Sequence, residues 1–125
     1  RTLQCECGEK LANADFDTQA AWTLGAGWSI VGSAALKVAG TAADIAQTFA
    51  FVDGVLYRVE WVLSQVTAGS ARVVLDGATP VQGDARAGSG TFVDVFTASA
   101  HTALRVAADA AFAGRIERVS LRRLA

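Results

Sequence analysis

Gly54-Val55-Leu56-Tyr57-Arg58-Val59-Glu60-Trp61-Val62-Leu63-Ser64 is the stretch that decides the fold of this chain. Tyr57, Val59, Trp61 and Leu63 alternate with Arg58, Glu60 and Val62. Successive side chains of an extended strand point to opposite faces, so this order lays an aromatic and aliphatic row on one face and a more polar row on the other. The reading places Trp61 in a core. Asp53-Gly54, just ahead, is a strong turn signal at the start of a strand.

The same pattern recurs on both sides. Upstream, Ser29 to Val38 reads as strand material with a turn at Gly32-Ser33, and Gly40 to Asp44 as a loop. Ile45 to Phe51 reads as a strand with Ile45, Gln47, Phe49 and Phe51 on one face. Downstream, Thr67 to Ser70 turns the chain, and Ala71 to Leu75 is a strand ended by Asp76-Gly77. Residues 78–90 hold the lone proline, Pro80, with Gly83, Gly88 and Gly90, and read as the longest loop. Gly90-Thr91 opens a strand through Phe96 or Thr97, Thr102 to Ala107 is another, and Arg115 to Arg122 closes the chain with Ile116 or its neighbours packed inside. About eight short strands spaced roughly 8–12 residues apart predict an all-β sandwich of two antiparallel sheets. Alanine favours helix, which leaves room for a helical turn near Ala42–Ala46 or Ala107–Ala111, but no long window carries a 3.6-residue apolar stripe.

Composition narrows the function. The chain has 125 residues, enough for one domain with a real core. Hydrophobic residues make up 52% and charged residues 18%, which is not a disordered composition. Net charge is −1, whereas a chain relying on phosphate neutralisation is normally basic, so nucleic acid is not an expected partner. No apolar run approaches the roughly 20 residues needed to span a bilayer, so membrane insertion is not expected either. The chain begins with Arg rather than Met and shows no signal-peptide pattern, as expected of a processed product or a piece of something longer. Residues 1–12 read as a leader or edge strand, and 13–125 as the domain. Cys5 and Cys7 are too close for an unstrained disulfide and make half of a four-ligand zinc site. They read as free thiols in the leader, with a shared metal site or an interchain bridge as the alternatives.

Four pieces in order carry a family resemblance. Asn13-Ala14-Asp15-Phe16-Asp17 is followed by Trp22; Gly27-Trp28 begins a strand; then come Gly54 to Ser64 and, at the end, Gly114-Arg115-Ile116-Glu117-Arg118-Val119-Ser120-Leu121. This series, spanning almost the whole chain, resembles the jelly-roll carbohydrate-binding modules of the family 4/9 type, a galactose-binding-like β-sandwich. Similar domains occur in bacteriophage and prophage virion proteins, where they decorate tails, fibres or capsids. The resemblance implies a non-catalytic module in a virion or extracellular setting, with cell-surface glycan, other virion proteins or further copies of itself as partners. It makes Trp22 and Trp28 packing residues. It also implies a structural calcium where the opening turn meets the last strand, with Asp15, Asp17 and Glu117 as the matching acids. Glu117 and Arg118 stand where the family usually carries aspartate and asparagine, and a salt bridge or a solvated turn is the alternative.

Candidate glycan contacts come from the strands. Sugar binding commonly uses a ring against C–H faces and polar groups for the hydroxyls. If Val93 and Val95 face the core, Phe92, Asp94 and Phe96 form an outward aromatic-acid-aromatic row. The cost of burying an unpaired aspartate favours that orientation, and the burial of two phenylalanines favours the reverse. Arg58, Glu60, Arg72, Asp76 and Arg105, with Asp94, could form a polar floor on one sheet, or simply a solvated face with cross-strand charge pairs. Catalysis has little support. His101, the lone histidine, follows Ala98-Ser99-Ala100 in an expected turn and reads as a surface residue. No nucleophile elbow, zinc helix or phosphate-cradling loop is present. The two functions left are a glycan-binding module and a structural virion or appendage domain whose apolar surface is covered by neighbouring subunits.

Overall fold

The computed structural model describes residues 11, 13–17 and 21–124. Cys5, Cys7 and, apart from Leu11, the leader lie outside them. The described chain is all β: a jelly-roll sandwich of two five-stranded antiparallel sheets. Its strands are β1 (Thr23–Leu24), β2 (Trp28–Ile30), β3 (Ala35–Lys37), β4 (Ala43–Thr48), β5 (Leu56–Ala68), β6 (Ala71–Gly77), β7 (Val81–Gln82), β8 (Gly90–Thr97), β9 (His101–Ala108) and β10 (Ala113–Arg123). The first sheet runs β1-β4-β9-β6-β7 and the second β2-β3-β10-β5-β8.

Order in space departs from order in sequence at the sheet centres. The last strand, β10, lies between β3 and β5, and β9 lies between β4 and β6. The opening turn also meets the last strand. The Val119 N–H donates to the Ala14 carbonyl at 3.0 Å, and Arg118 Nε lies 3.3 Å from an Asp15 carboxylate oxygen. β10 bulges between Ile116 and Arg118, which offsets its register with β5 just where the opening turn joins it.

The deciding stretch is β5. Tyr57, Val59, Trp61 and Leu63 are all buried, and the residues between them are half-exposed. The facing sheet supplies Ile45, Val73, Leu75, Leu104 and Val106, all fully buried. Trp22 and Trp28 pack as expected, and each indole N–H reaches a carbonyl, of Asn13 at 2.9 Å and Ala43 at 3.1 Å. Phe51 stands edge-on to Tyr57 at 5.0 Å, and the Tyr57 hydroxyl accepts the Val52 N–H.

Several expectations are corrected. No helix occurs among the described residues. Ala42–Ala46 runs into β4, where Ala46 pairs with strands on both sides, and Ala107–Ala111 ends β9 and turns, with Ala107 and Ala108 likewise paired on both sides. The strand expected through Phe51 ends at Thr48, and beyond it the Phe49 and Phe51 N–H groups still donate to the Thr102 and His101 carbonyls of β9, at 2.9 and 3.4 Å. The long loop contains the two-residue β7. His101 is not a surface residue but 2% exposed at the start of β9. Its Nδ1 accepts the Ser99 N–H at 2.9 Å, and its Nε2 lies 3.0 Å from the Thr79 carbonyl. A backbone N–H can only donate and a carbonyl can only accept, so the ring holds its proton on Nε2 and joins two turns.

Candidate functional site

Strand pairing fixes which face each candidate occupies, and it divides the expected polar floor into three groups. Arg58 and Glu60 lie on the outer face of the second sheet and pair with each other at 3.2 Å. Arg72, Asp76 and Arg105 lie on the outer face of the first sheet. Asp94 lies inside, 9% exposed.

The orientation of β8 settles the aromatic row. Phe96 is buried, Phe92 is half-buried against Trp61 with centroids 5.9 Å apart, and Val93 and Val95 are exposed. The row faces inward because Asp94 has partners there. It accepts the Trp61 indole N–H at 3.0 Å and an Arg86 N–H at 2.8 Å. A paired, hydrogen-bonded carboxylate escapes most of the burial cost that favoured the outward orientation. The Arg86 guanidinium also lies over the Phe92 ring, 5.0 Å from its centroid. Phe92 and Phe96 therefore offer no ring platform to solvent.

The acids matched to calcium sit differently from a metal cage. Asp15 faces Arg118, while Glu117 accepts the Ser64 hydroxyl and lies 3.6 Å from Arg115 Nε. Asp15 and Asp17 are exposed. Among the described residues, no three histidine, cysteine, aspartate or glutamate side chains come together to hold a metal ion. Calcium needs six to eight oxygens, several of them carboxylate. Asp15, Asp17 and Glu117, with guanidinium groups at two of the three, do not fit that requirement by themselves.

The outer face of the first sheet has the most developed surface chemistry. Asp44 pairs across strands with Ala107, and Ala107 with Arg72; Ala46 pairs with Arg105, and Arg105 with Val74, which pairs with Gln82; Thr48 pairs with Ala103, and Ala103 with Asp76. Residues paired across antiparallel strands share a face, so alanine methyls alternate with polar side chains. Arg105, on the central strand, reaches Asp44 at 2.6 Å and Asp76 at 3.6 Å. Arg72 donates to the Gln82 side-chain oxygen at 2.7 Å. A depression of about 320 Å³ lies here, walled by Arg72, Arg105, Gln82, Ser70 and Asp109, with Val74 and Ala107 in its floor. That volume is at the small end of ligand sites. Among the described residues no aromatic side chain lines it. Arg72 and Arg105 were legible as candidates from alternation. Gln82, Ser70 and Asp109 were missed, since β7 is two residues long and the other two lie beyond strand ends.

No protein-family model matches the chain, and no curated protein matches its sequence. Solved structures do match. The enzymatically active domain of tailspike protein 4 from bacteriophage CBA120 superposes with a TM-score of 0.67 at 15% identity, covering 93% of this chain but 21% of the tailspike chain. TmCBM61, solved with β-1,4-galactotriose, gives 0.63 at 16% identity over 94% of this chain and 99% of that module. The mannan-binding module of Man5C gives 0.61 at 18% identity, covering 86% of this chain and 97% of that one. The chain thus spans about a fifth of the tailspike domain and nearly the full length of the two carbohydrate-binding modules. At these identities the likeness carries the fold: a jelly-roll sandwich of the kind found in carbohydrate-binding modules.

Proposed function

We propose that this chain is a non-catalytic glycan-binding module that holds its ligand on the outer face of the first sheet. The observation that carries the reading is the depression beside Arg72 and Arg105, which sets guanidinium donors next to carboxylate and amide acceptors over a floor of Ala107 and Val74. Sugar hydroxyls donate and accept at once, so a surface offering both matches them. The fold supports the same reading, since neighbours of similar length include modules solved with β-1,4-galactotriose and with cellulohexaose. The tailspike neighbour supports a virion setting, in which the module would attach a larger particle to a cell-surface polysaccharide.

The test is a glycan array probed with the 125-residue chain and with an Arg105→Ala variant. Binding to a defined polysaccharide, lost in the variant while its melting temperature is kept, is the expected result. Absence of binding to any glycan overturns the reading. A second reading, a structural appendage domain, is favoured by the exposed Val93 and Val95 on the outer face of the second sheet. It predicts self-association that Val93→Thr/Val95→Thr abolishes.

A further inference from the structure

We infer that the depression on the first sheet takes a carboxylate-bearing sugar, a uronate unit of an acidic polysaccharide, and that Arg72 is the residue that reads the acid. The inference rests on the glycan-binding reading given above.

Charge accounting around the depression singles out Arg72. Arg105 is engaged by two carboxylates, Asp44 at 2.6 Å and Asp76 at 3.6 Å, whose two negative charges exceed its own, so it has no charge left over for an anion. The Asp109 carboxylate is turned to its own neighbourhood. One oxygen accepts the Ser70 N–H at 3.2 Å and the Ser70 hydroxyl at 3.1 Å, and the other accepts the Ala111 N–H at 3.1 Å. Three neutral donors hold that acid in place at the edge of the depression. Arg72 is held by a neutral group. Its Nη1 donates to the Gln82 amide oxygen at 2.7 Å, which orients the guanidinium without neutralising it. No ion pair among the described residues engages it.

A guanidinium presents five donors in a rigid fork that matches a carboxylate with two parallel hydrogen bonds. One donor is used on Gln82, and the half-exposed remainder borders the depression. Ala107, paired with Arg72 across β6 and β9, leaves only a methyl beside it, so a pyranose ring has room to lie down. The decisive point is the lack of a ring platform. A neutral sugar draws much of its affinity from stacking on an aromatic face, and among the described residues no aromatic side chain lines this depression. Charge-assisted hydrogen bonds are about twice as strong as neutral ones, and a uronate supplies an anion that matches the Arg72 fork.

Isothermal titration of the full chain with tri-uronates, with matched neutral trisaccharides and with sulfated trisaccharides of the same backbone tests this. The variants are Arg72→Gln, which removes the charge, and Arg72→Lys, which keeps the charge and loses the fork; thermal melts verify that both are folded. The expected result is uronate binding that weakens as salt is raised. It should fall about tenfold or more in Arg72→Gln and lie between the two in Arg72→Lys. Neutral trisaccharides that bind the wild type and Arg72→Gln alike would overturn the acid assignment while leaving glycan binding intact. Sulfated sugars that bind as tightly as uronates would overturn the carboxylate specificity. Uronate binding untouched by Arg72→Gln would overturn the role of Arg72. Failure of every sugar would overturn both this inference and the proposed function.

Discussion

Asp94 accepts the indole N–H of Trp61 at 3.0 Å and a guanidinium N–H of Arg86 at 2.8 Å, on the inner side of β8. One carboxylate therefore ties a core tryptophan to the segment that crosses between the sheets. Arg86 also pairs through its backbone with Ala71, its N–H and carbonyl bonding the Ala71 carbonyl and N–H at 2.8 and 3.1 Å. Gly83 lies against the same carboxylate, where a Cβ would sit 2.9 Å from it. Asp94→Ala strands the indole N–H and the guanidinium together. Removing one member of a buried pair costs up to about 5 kcal/mol, and Arg86 is partly solvated, so a loss of about 2–4 kcal/mol is expected. Urea denaturation measures it, and a double-mutant cycle with Arg86→Ala should return a coupling above about 1 kcal/mol.

Gly69 turns the chain between β5 and β6 with φ at +74°, and a side chain there would collide with the backbone of Phe112. Gly69→Ala combines left-handed strain with overpacking against a rigid neighbour. The expected destabilisation is about 2–5 kcal/mol. A melt within experimental error of the wild type would refute this account of the turn.

His101 joins the Ser99 turn to the Thr79 carbonyl, and Phe51 packs edge-on to its ring at 6.3 Å. His101→Leu fills the same space but leaves one donor and one acceptor unpaired, at a cost of about 1–3 kcal/mol. Hydrogen exchange should report the loss locally, with the Ser99 amide losing protection before the centre of β9.

Under the proposed glycan-binding reading, Arg105 separates stability from recognition. Its partners Asp44 and Asp76 have side chains 35% and 45% exposed, and exposed pairs contribute little. Arg105→Ala should lower stability by less than about 1 kcal/mol and still remove glycan binding. Equal losses in both measurements would mean the residue serves the fold alone.

Asp15 and Glu117 face guanidinium groups rather than a shared centre. Chelator is therefore expected to leave the melting temperature unchanged, and added calcium to leave it unchanged as well. A rise with calcium that Asp15→Asn abolishes would instead establish a metal site at the opening turn.

The sandwich was legible because its signal is local. Tyr57, Val59, Trp61 and Leu63 show their face by alternation alone, and Ile116 and Trp28 do so within the family resemblance. The candidate site was half legible. Alternation shows that Arg72 and Arg105 face away from their apolar neighbours, but not which sheet a strand joins. Arg58 and Arg72 looked like neighbours and belong to different sheets, because sheet membership depends on long-range pairing. Asp94 shows the other limit. Its orientation hangs on Trp61 and on Arg86, which approaches from a loop, and neither contact leaves a mark in the local pattern of β8. His101 was misread for the same reason, since the carbonyl it meets lies 22 positions away.

The alternation of Ala46, Ala103 and Ala107 with polar side chains on the first sheet has a consequence for how such a chain can change. None of the three belongs to the apolar core, so larger residues there would reshape the outer relief without touching the inter-sheet packing. Change on that outer face is thus separated from the packing between the sheets, like pegs moved on a fixed board, and a library randomised at Ala46, Ala103 and Ala107 should yield folded members at high frequency.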